Sequence, residues 1–263
     1  MAKSQINLSA RDQKYLIISL LVIFFIWLIP YSFGEDIAVF TNDLVYIPLS
    51  LFVVMVSFYR LIESKKGLRI VWTMFLVSAI AQLVAQHIWS LDELVLGTKP
   101  FPSYADVAFL VSYLMWIPFF FMYIKPLKNL ISKKILVLAI AISCAIIIPS
   151  SYYLIQSAAG TYTIENTLLA SYPIIDGINF VPVSIGIILF FKGNANFFPS
   201  LMFFAMIPEV IADVSFQITS TNGTYYSGSF ADLFFYFTFV LFMAGAYSSH
   251  QLGKKQDIGA KNT

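Results

Sequence analysis

Glu209, Asp213 and Gln217 recur every four residues inside an apolar run, so a helix would carry them along one stripe. Two carboxylates one turn apart in a low-dielectric setting do not both ionise without a partner, because desolvation and mutual repulsion oppose it. One of Glu209 and Asp213 is therefore expected to hold a proton at neutral pH, which suits ligand binding or proton-linked switching. Asp176, about two turns into the preceding apolar run, is expected to join them. The run SAIAQLVAQHI supplies a matching neutral stripe, Ser78, Gln82 and Gln86, followed by His87. Ionisable groups at membrane depth are expensive and tend to face a bundle interior or a wet cavity. The candidate ligand-binding or proton-linked set is accordingly Asp176, Glu209, Asp213, Gln217, Gln82, Gln86 and His87.

Asp43, Asp106 and Asp232 open apolar runs that follow polar connections, where a carboxylate can cap free N–H groups and favour the helix dipole. Helix capping or packing is expected of these three. His87 could bond a neighbouring helix or titrate on the outer side. His250 falls at the far end of the last apolar run, so the two histidines cannot share a metal ion. Cys144 is the single cysteine, which leaves no disulfide framework or cysteine metal cluster. No HExxH, nucleophile elbow or phosphate-cradling glycine loop occurs, and the last run holds no lysine for a Schiff base. No metal, cofactor or enzymatic activity is expected.

The elements that must position these groups are membrane helices. The chain is 263 residues long, 59% hydrophobic and 11% charged, with a mean hydropathy of +0.80. A span needs roughly 20 predominantly apolar residues, and eight stretches qualify: about 15–33, 43–62, 69–90, 104–124, 134–155, 167–192, 198–219 and 229–249. Fifteen of the 16 basic residues fall before the first span, in alternate connections or after the last; Lys99 is the exception. The positive-inside rule then puts both termini in the cytoplasm of a multi-pass protein of the cell (plasma) membrane. The net charge of +2 reports this orientation and offers nothing to nucleic acid. Tyrosines such as Tyr104, Tyr113, Tyr172 and Tyr225 are expected in the interfacial aromatic belt.

The polar pattern occurs twice. Gln82 aligns with Asp213 and Gln86 with Gln217 at an offset of 131 residues, and Asp106 aligns with Asp232 at 126. NDLVYIPLS at 42–50 echoes DGINFVPVS at 176–184, which makes Pro48 and Pro182 equivalent. Four spans per unit give both units one orientation, unlike inverted transporter repeats. The expected organisation is all-α: one four-helix membrane repeat over 1–126, a second over 127–250, and a disordered cytoplasmic tail over 251–263.

PFPSYADVAFLVSYLMWIPFFFMY at 100–123, SYPIIDGINFVPVSIGIILFF at 171–191 and IADVSFQ at 211–217 with YYSGSFADLFFYFTFVLFMAGAYS carry a further likeness. They resemble the polytopic N-terminal sensor regions of bacterial GGDEF/EAL diguanylate cyclases and some histidine kinases, in which P-S-x-A-D, Y-P-x-x-D and D…G-x-x-x-D segments recur in this order. The resemblance spans spans two to eight and implies an input module that senses something at or outside the bilayer. No GGDEF, EAL, PAS or kinase core follows the last span, so the expected partner, besides the lipid bilayer, is a separate signalling protein or membrane complex subunit. The expected function is that of a non-enzymatic sensory or scaffold protein with a polar site in the outer half of the bundle, between the repeats. A small proton- or cation-coupled transporter or channel is the alternative. The near absence of polar residues from the inner halves of the spans favours the sensor.

Overall fold

The computed structural model describes residues 10–157, 163–193 and 197–261, with side chains over 13–157, 163–193 and 200–247. Among them the chain is helical, with no strand. The helices are α1 (Ala10–Ser32), α2 (Glu35–Glu63), α3 (Lys66–Ser90), α4 (Tyr104–Ile124), α5 (Lys133–Ser157), α6 (Ile164–Phe191), α7 (Phe197–Phe204), α8 (Met206–Thr221) and α9 (Phe230–Lys261). A π turn, Leu91–Val95, continues α3, and a 3-10 turn, Lys125–Leu130, leads from α4 toward α5. Eight of these runs are long and apolar enough to cross a membrane.

The seventh run is broken at Ala205, between α7 and α8. Pro208 has no N–H, so the Phe204 carbonyl one turn back loses its helical partner. The next carbonyl, that of Ala205, accepts a long 3.5 Å bond from the Glu209 N–H and a second at 3.2 Å from the Thr238 hydroxyl of α9. A neighbouring helix thus covers the loosened backbone, as an apolar setting requires.

Six of the runs close into a ring. Around it α2 packs on α3, α3 on α4, α4 on α6, α6 on α7 and α8, both of these on α9, and α9 back on α2. The two remaining helices stand outside: α1 leans on α2 and α9, and α5 lies mainly against α6. Burial agrees, since 6% of the apolar core of α1 and 22% of that of α5 are buried, against 33% to 61% in the other six. The α5 contact is close because α6 offers a glycine there. A Cβ on Gly177 would clash with the Ile147 side chain.

Helix α9 continues to Lys261. Residues 251–261, expected as a disordered tail, therefore extend the last helix, and no proline interrupts QLGKKQDIGAK.

Candidate functional site

The ring encloses a cavity of about 60 Å³. At the ~10–15 Å³ that one water requires, it has room for a few small molecules. Every run of the ring contributes to its wall, the seventh through α8 alone, whereas α1 and α5 contribute nothing. Asn42 and Tyr46 come from α2, Gln82, Gln86 and Trp89 from α3, and Asp106, Phe109 and Tyr113 from α4. Tyr172 comes from α6, Glu209, Asp213 and Phe216 from α8, and Asp232, Phe235 and Phe239 from α9; Tyr225 adds to the wall from the connection before α9. Asp106, Phe109 and Tyr113 are three and then four residues apart, which keeps them on one helical face. Asp232, Phe235 and Phe239 have the same spacing on α9 and lie 126 residues further on.

Proton counting is informative at the deep end. The Tyr113 hydroxyl is 2.7 Å from Glu209 Oε1 and 2.7 Å from Asp213 Oδ2, and both carboxyls are almost fully buried. A phenol carries one proton and donates one hydrogen bond. The second short contact is a hydrogen bond only when that carboxyl is protonated and donates to the Tyr113 oxygen. The geometry of this triad therefore needs a proton on Glu209 or Asp213. Asp176 of α6 lies within hydrogen-bonding reach of Asp213 and outside the cavity wall, and no N–H or hydroxyl among the described residues donates to either of its oxygens.

Two further carboxylates sit nearer the end that bears the 91–103 and 222–229 connections, the end expected outside. Asp106 Oδ2 accepts from the Ser103 N–H at 2.8 Å, while Ser103 Oγ accepts from the Ala105 N–H, a capping box that starts α4. Its other oxygen accepts from the Tyr172 hydroxyl at 2.7 Å. Asp232 repeats the arrangement, with Oδ2 accepting from the Gly228 N–H at 2.9 Å and Oδ1 from the Tyr46 hydroxyl at 2.9 Å. Each carboxylate thus starts its own helix and tethers a tyrosine from the facing half of the ring. The Tyr225 hydroxyl also approaches Asp232, at 3.4 Å. Burial of that hydroxyl, and next the Asp232 charge, hold the Tyr225 phenol well above the ordinary tyrosine range, so it stays a donor.

Aromatic residues flank both ends. On the side of the 222–229 turn, Trp89, Phe216 and Tyr225 meet edge to face with centroids 4.6 to 6.2 Å apart. Trp89 Nε1 pins this layer by donating to Ser227 Oγ at 2.9 Å. On the other side Phe75 packs against Phe119 at 4.9 Å and Phe242 at 5.2 Å, and Trp116 meets Phe242 at 5.6 Å. A void of about 10 Å³ continues below Gln82 and Glu209 before this layer, no more than one water requires. Deeper still, the Arg60 guanidinium lies 4.9 Å over the Trp72 ring.

Of the candidate set, Gln82, Gln86, Glu209 and Asp213 line the cavity, and Asp176 touches it through Asp213. Gln217 does not line it. Its amide donates to the Leu169 carbonyl of α6 at 3.1 Å, because eight residues beyond Glu209 an α-helix has turned about 80° off the stripe. His87 faces outward, exposed, with Nδ1 2.8 Å from the Leu83 carbonyl of its own helix, since it follows Gln86 by one residue and so points about 100° away. Asp43 caps nothing: α2 begins at Glu35, which puts Asp43 about two turns inside it, fully buried with both oxygens unbonded. Sequence reasoning missed Asn42, Tyr46 and Trp89, and it assigned Tyr113, Tyr172 and Tyr225 to an interfacial belt. The signal was present, since Tyr46 follows Asn42 by four residues and Trp89 follows Gln82 and Gln86 by seven and three.

No family model, curated protein or solved structure matches this chain.

Proposed function

We propose that the chain is a multi-pass protein of the cell membrane, with both termini cytoplasmic, that senses a small ligand or proton on the outer side and signals to a separate partner without catalysing a reaction. The observation that carries this reading is the one-sided cavity. Its polar groups lie toward the 222–229 end, and a layer built on Phe75, Phe119 and Phe242 separates them from the end bearing Arg60 and Lys128. A transporter needs access from both sides, and below Gln82 and Glu209 the described path narrows past Ser78 and Thr238 to a void of about 10 Å³ that ends on Phe75, Trp116 and Phe242.

The two-repeat organisation belongs to the same proposal. Its support is reciprocal: the second helix of each half packs on the fourth helix of the other, α2 on α9 and α6 on α4. The bonds across these contacts match, because Tyr46 and Tyr172 stand 126 residues apart, as do their acceptors Asp232 and Asp106. Aligned on Pro48 and Pro182, Tyr46 would instead pair with Phe180, eight residues or about two turns further along α6. The proline echo and the tyrosine bonds therefore follow different registers in this helix.

The deciding experiment is flux through the purified full chain in liposomes, with proton-sensitive dye inside and an imposed proton or potassium gradient. The sensor reading expects no flux above that of empty liposomes. A saturable flux abolished by Asp213→Asn would replace it with the transporter.

A further inference from the structure

We propose that the cavity is a binding site for a small organic cation, a protonated amine of a few heavy atoms; this rests on the sensory reading of the same cavity and specifies its ligand. Four carboxyl side chains, Asp106, Glu209, Asp213 and Asp232, reach the wall, and no lysine, arginine or histidine does. One of the four carries the proton that the Tyr113 triad requires, and no cationic side chain in the wall offsets whatever charge the others carry. Such a cavity favours a positive occupant, because the attraction is weakly screened there.

An acidic cluster alone would not point to a ligand; the glutamines do. Gln82 and Gln86 are only 7% and 8% exposed, both line the cavity, and neither makes a hydrogen bond to the described protein. Buried amides left unpaired are costly, so these two need a partner inside the cavity. Their carbonyl oxygens can accept from an N–H donor. The remaining wall is ring faces and edges, chiefly Tyr46, Trp89, Phe109, Phe216 and Phe239, and aromatic rings attract an ammonium group electrostatically.

The wall suits an ammonium better than a metal ion. Calcium and magnesium demand six or more oxygens close at hand. Here Asp106 and Asp232 are committed to helix starts and tyrosines, and no group of three metal-ligating side chains occurs among the described residues. Rings offer a metal nothing. A volume of about 60 Å³ restricts the occupant to a few heavy atoms.

The test uses the full chain in lipid nanodiscs, titrated with methylammonium and ethylammonium chloride, against sodium chloride at equal ionic strength and acetamide as a neutral molecule of similar size. Thermal unfolding and titration calorimetry are the readouts. The expected result is saturable stabilisation by the ammonium salts alone, with affinity about tenfold weaker in Gln86→Leu, as loss of a hydrogen bond to a charged group implies. His87→Gln, outside the cavity, should bind as the parent does. Equal stabilisation by acetamide overturns the cation assignment and leaves a polar ligand site standing. No saturable response to any of these probes overturns both. The comparison among ligands on the parent chain stands even if the Gln86 variant does not fold.

Discussion

Glu209 and Asp213, one turn apart on α8, are bridged by a single hydroxyl, that of Tyr113 on α4. The bridge ties the two halves of the ring at the deepest polar point of the cavity, and it holds only while one of the carboxyls is protonated. Tyr113→Phe removes it and leaves two buried carboxyls without their shared partner. The variant should lose about 1–3 kcal/mol of stability, the usual cost of an unsatisfied buried polar group. Chemical or thermal unfolding in nanodiscs measures this. A variant as stable as the parent would mean that the contact is incidental.

Asp213→Asn should behave differently, because the amide keeps the shape and supplies its own N–H donor in place of the shared proton. Near-parental stability is expected, together with loss of the carboxylic-acid C=O band that infrared difference spectroscopy should detect in the parent. Any ligand response should lose its pH dependence, since the neighbouring titratable groups, Glu209, Tyr113 and Asp176, would no longer share a mobile proton. An Asn variant that titrates like the parent would make these acids packing residues.

The Tyr46–Asp232 and Tyr172–Asp106 bonds hold facing halves of the ring together at matching places. Tyr46→Phe and Tyr172→Phe should each cost about 1.5–3 kcal/mol, as expected for a hydrogen bond to a charged acceptor. Near-equal losses in unfolding experiments would fit the repeat. A cost confined to one of them would set the two halves apart.

The eight spans were legible because apolar length is a strong signal, and the acids and glutamines were legible because polar groups are conspicuous inside apolar runs. What escaped was direction. The start of α2 was misplaced because Thr41, Asn42 and Asp43 interrupt its hydrophobicity, so Asp43 looked like a cap although α2 already begins at Glu35. Gln217 was grouped by its four-residue spacing, whose drift of about 40° per step carries it off the stripe, and His87 by following Gln86, from which the 100° step of the helix turns it away. The tyrosines failed for a different reason. A tyrosine near a span end fits an interfacial belt as well as a buried donor, and only the facing carboxylate separates these roles.

The topology is testable by labelling. In a chain whose exposed Cys144 has been replaced by alanine, single cysteines at Lys99 and Glu165 should react with an impermeant thiol reagent added outside intact cells. Cysteines at Lys66 and Lys128 should react only after lysis. All four residues are exposed in the folded chain, so burial does not confound the result. Outside labelling at position 66 or 128 would overturn the orientation.

Gly228 links the turn before α9 to the cavity more tightly than its small size suggests. Its φ of +86° lies in the left-handed region, and a Cβ there would stand 2.7 Å from the Ala38 carbonyl oxygen of α2. Its N–H holds Asp232, and its carbonyl accepts from Trp27 Nε1 at 3.0 Å. Gly223, five residues earlier, also has a positive φ, +67°, but open space around it. Gly223→Ala should therefore cost only the conformational penalty, about 1–2 kcal/mol. Gly228→Ala should cost more, because the turn must lift off α2 and draw the N–H away from Asp232, loosening a wall of the cavity. The paired comparison by thermal unfolding, with methylammonium affinity as the second readout, isolates the packing effect from the backbone one. Equal losses in the two variants, with affinity unchanged, would show that the turn does not hold Asp232 in place.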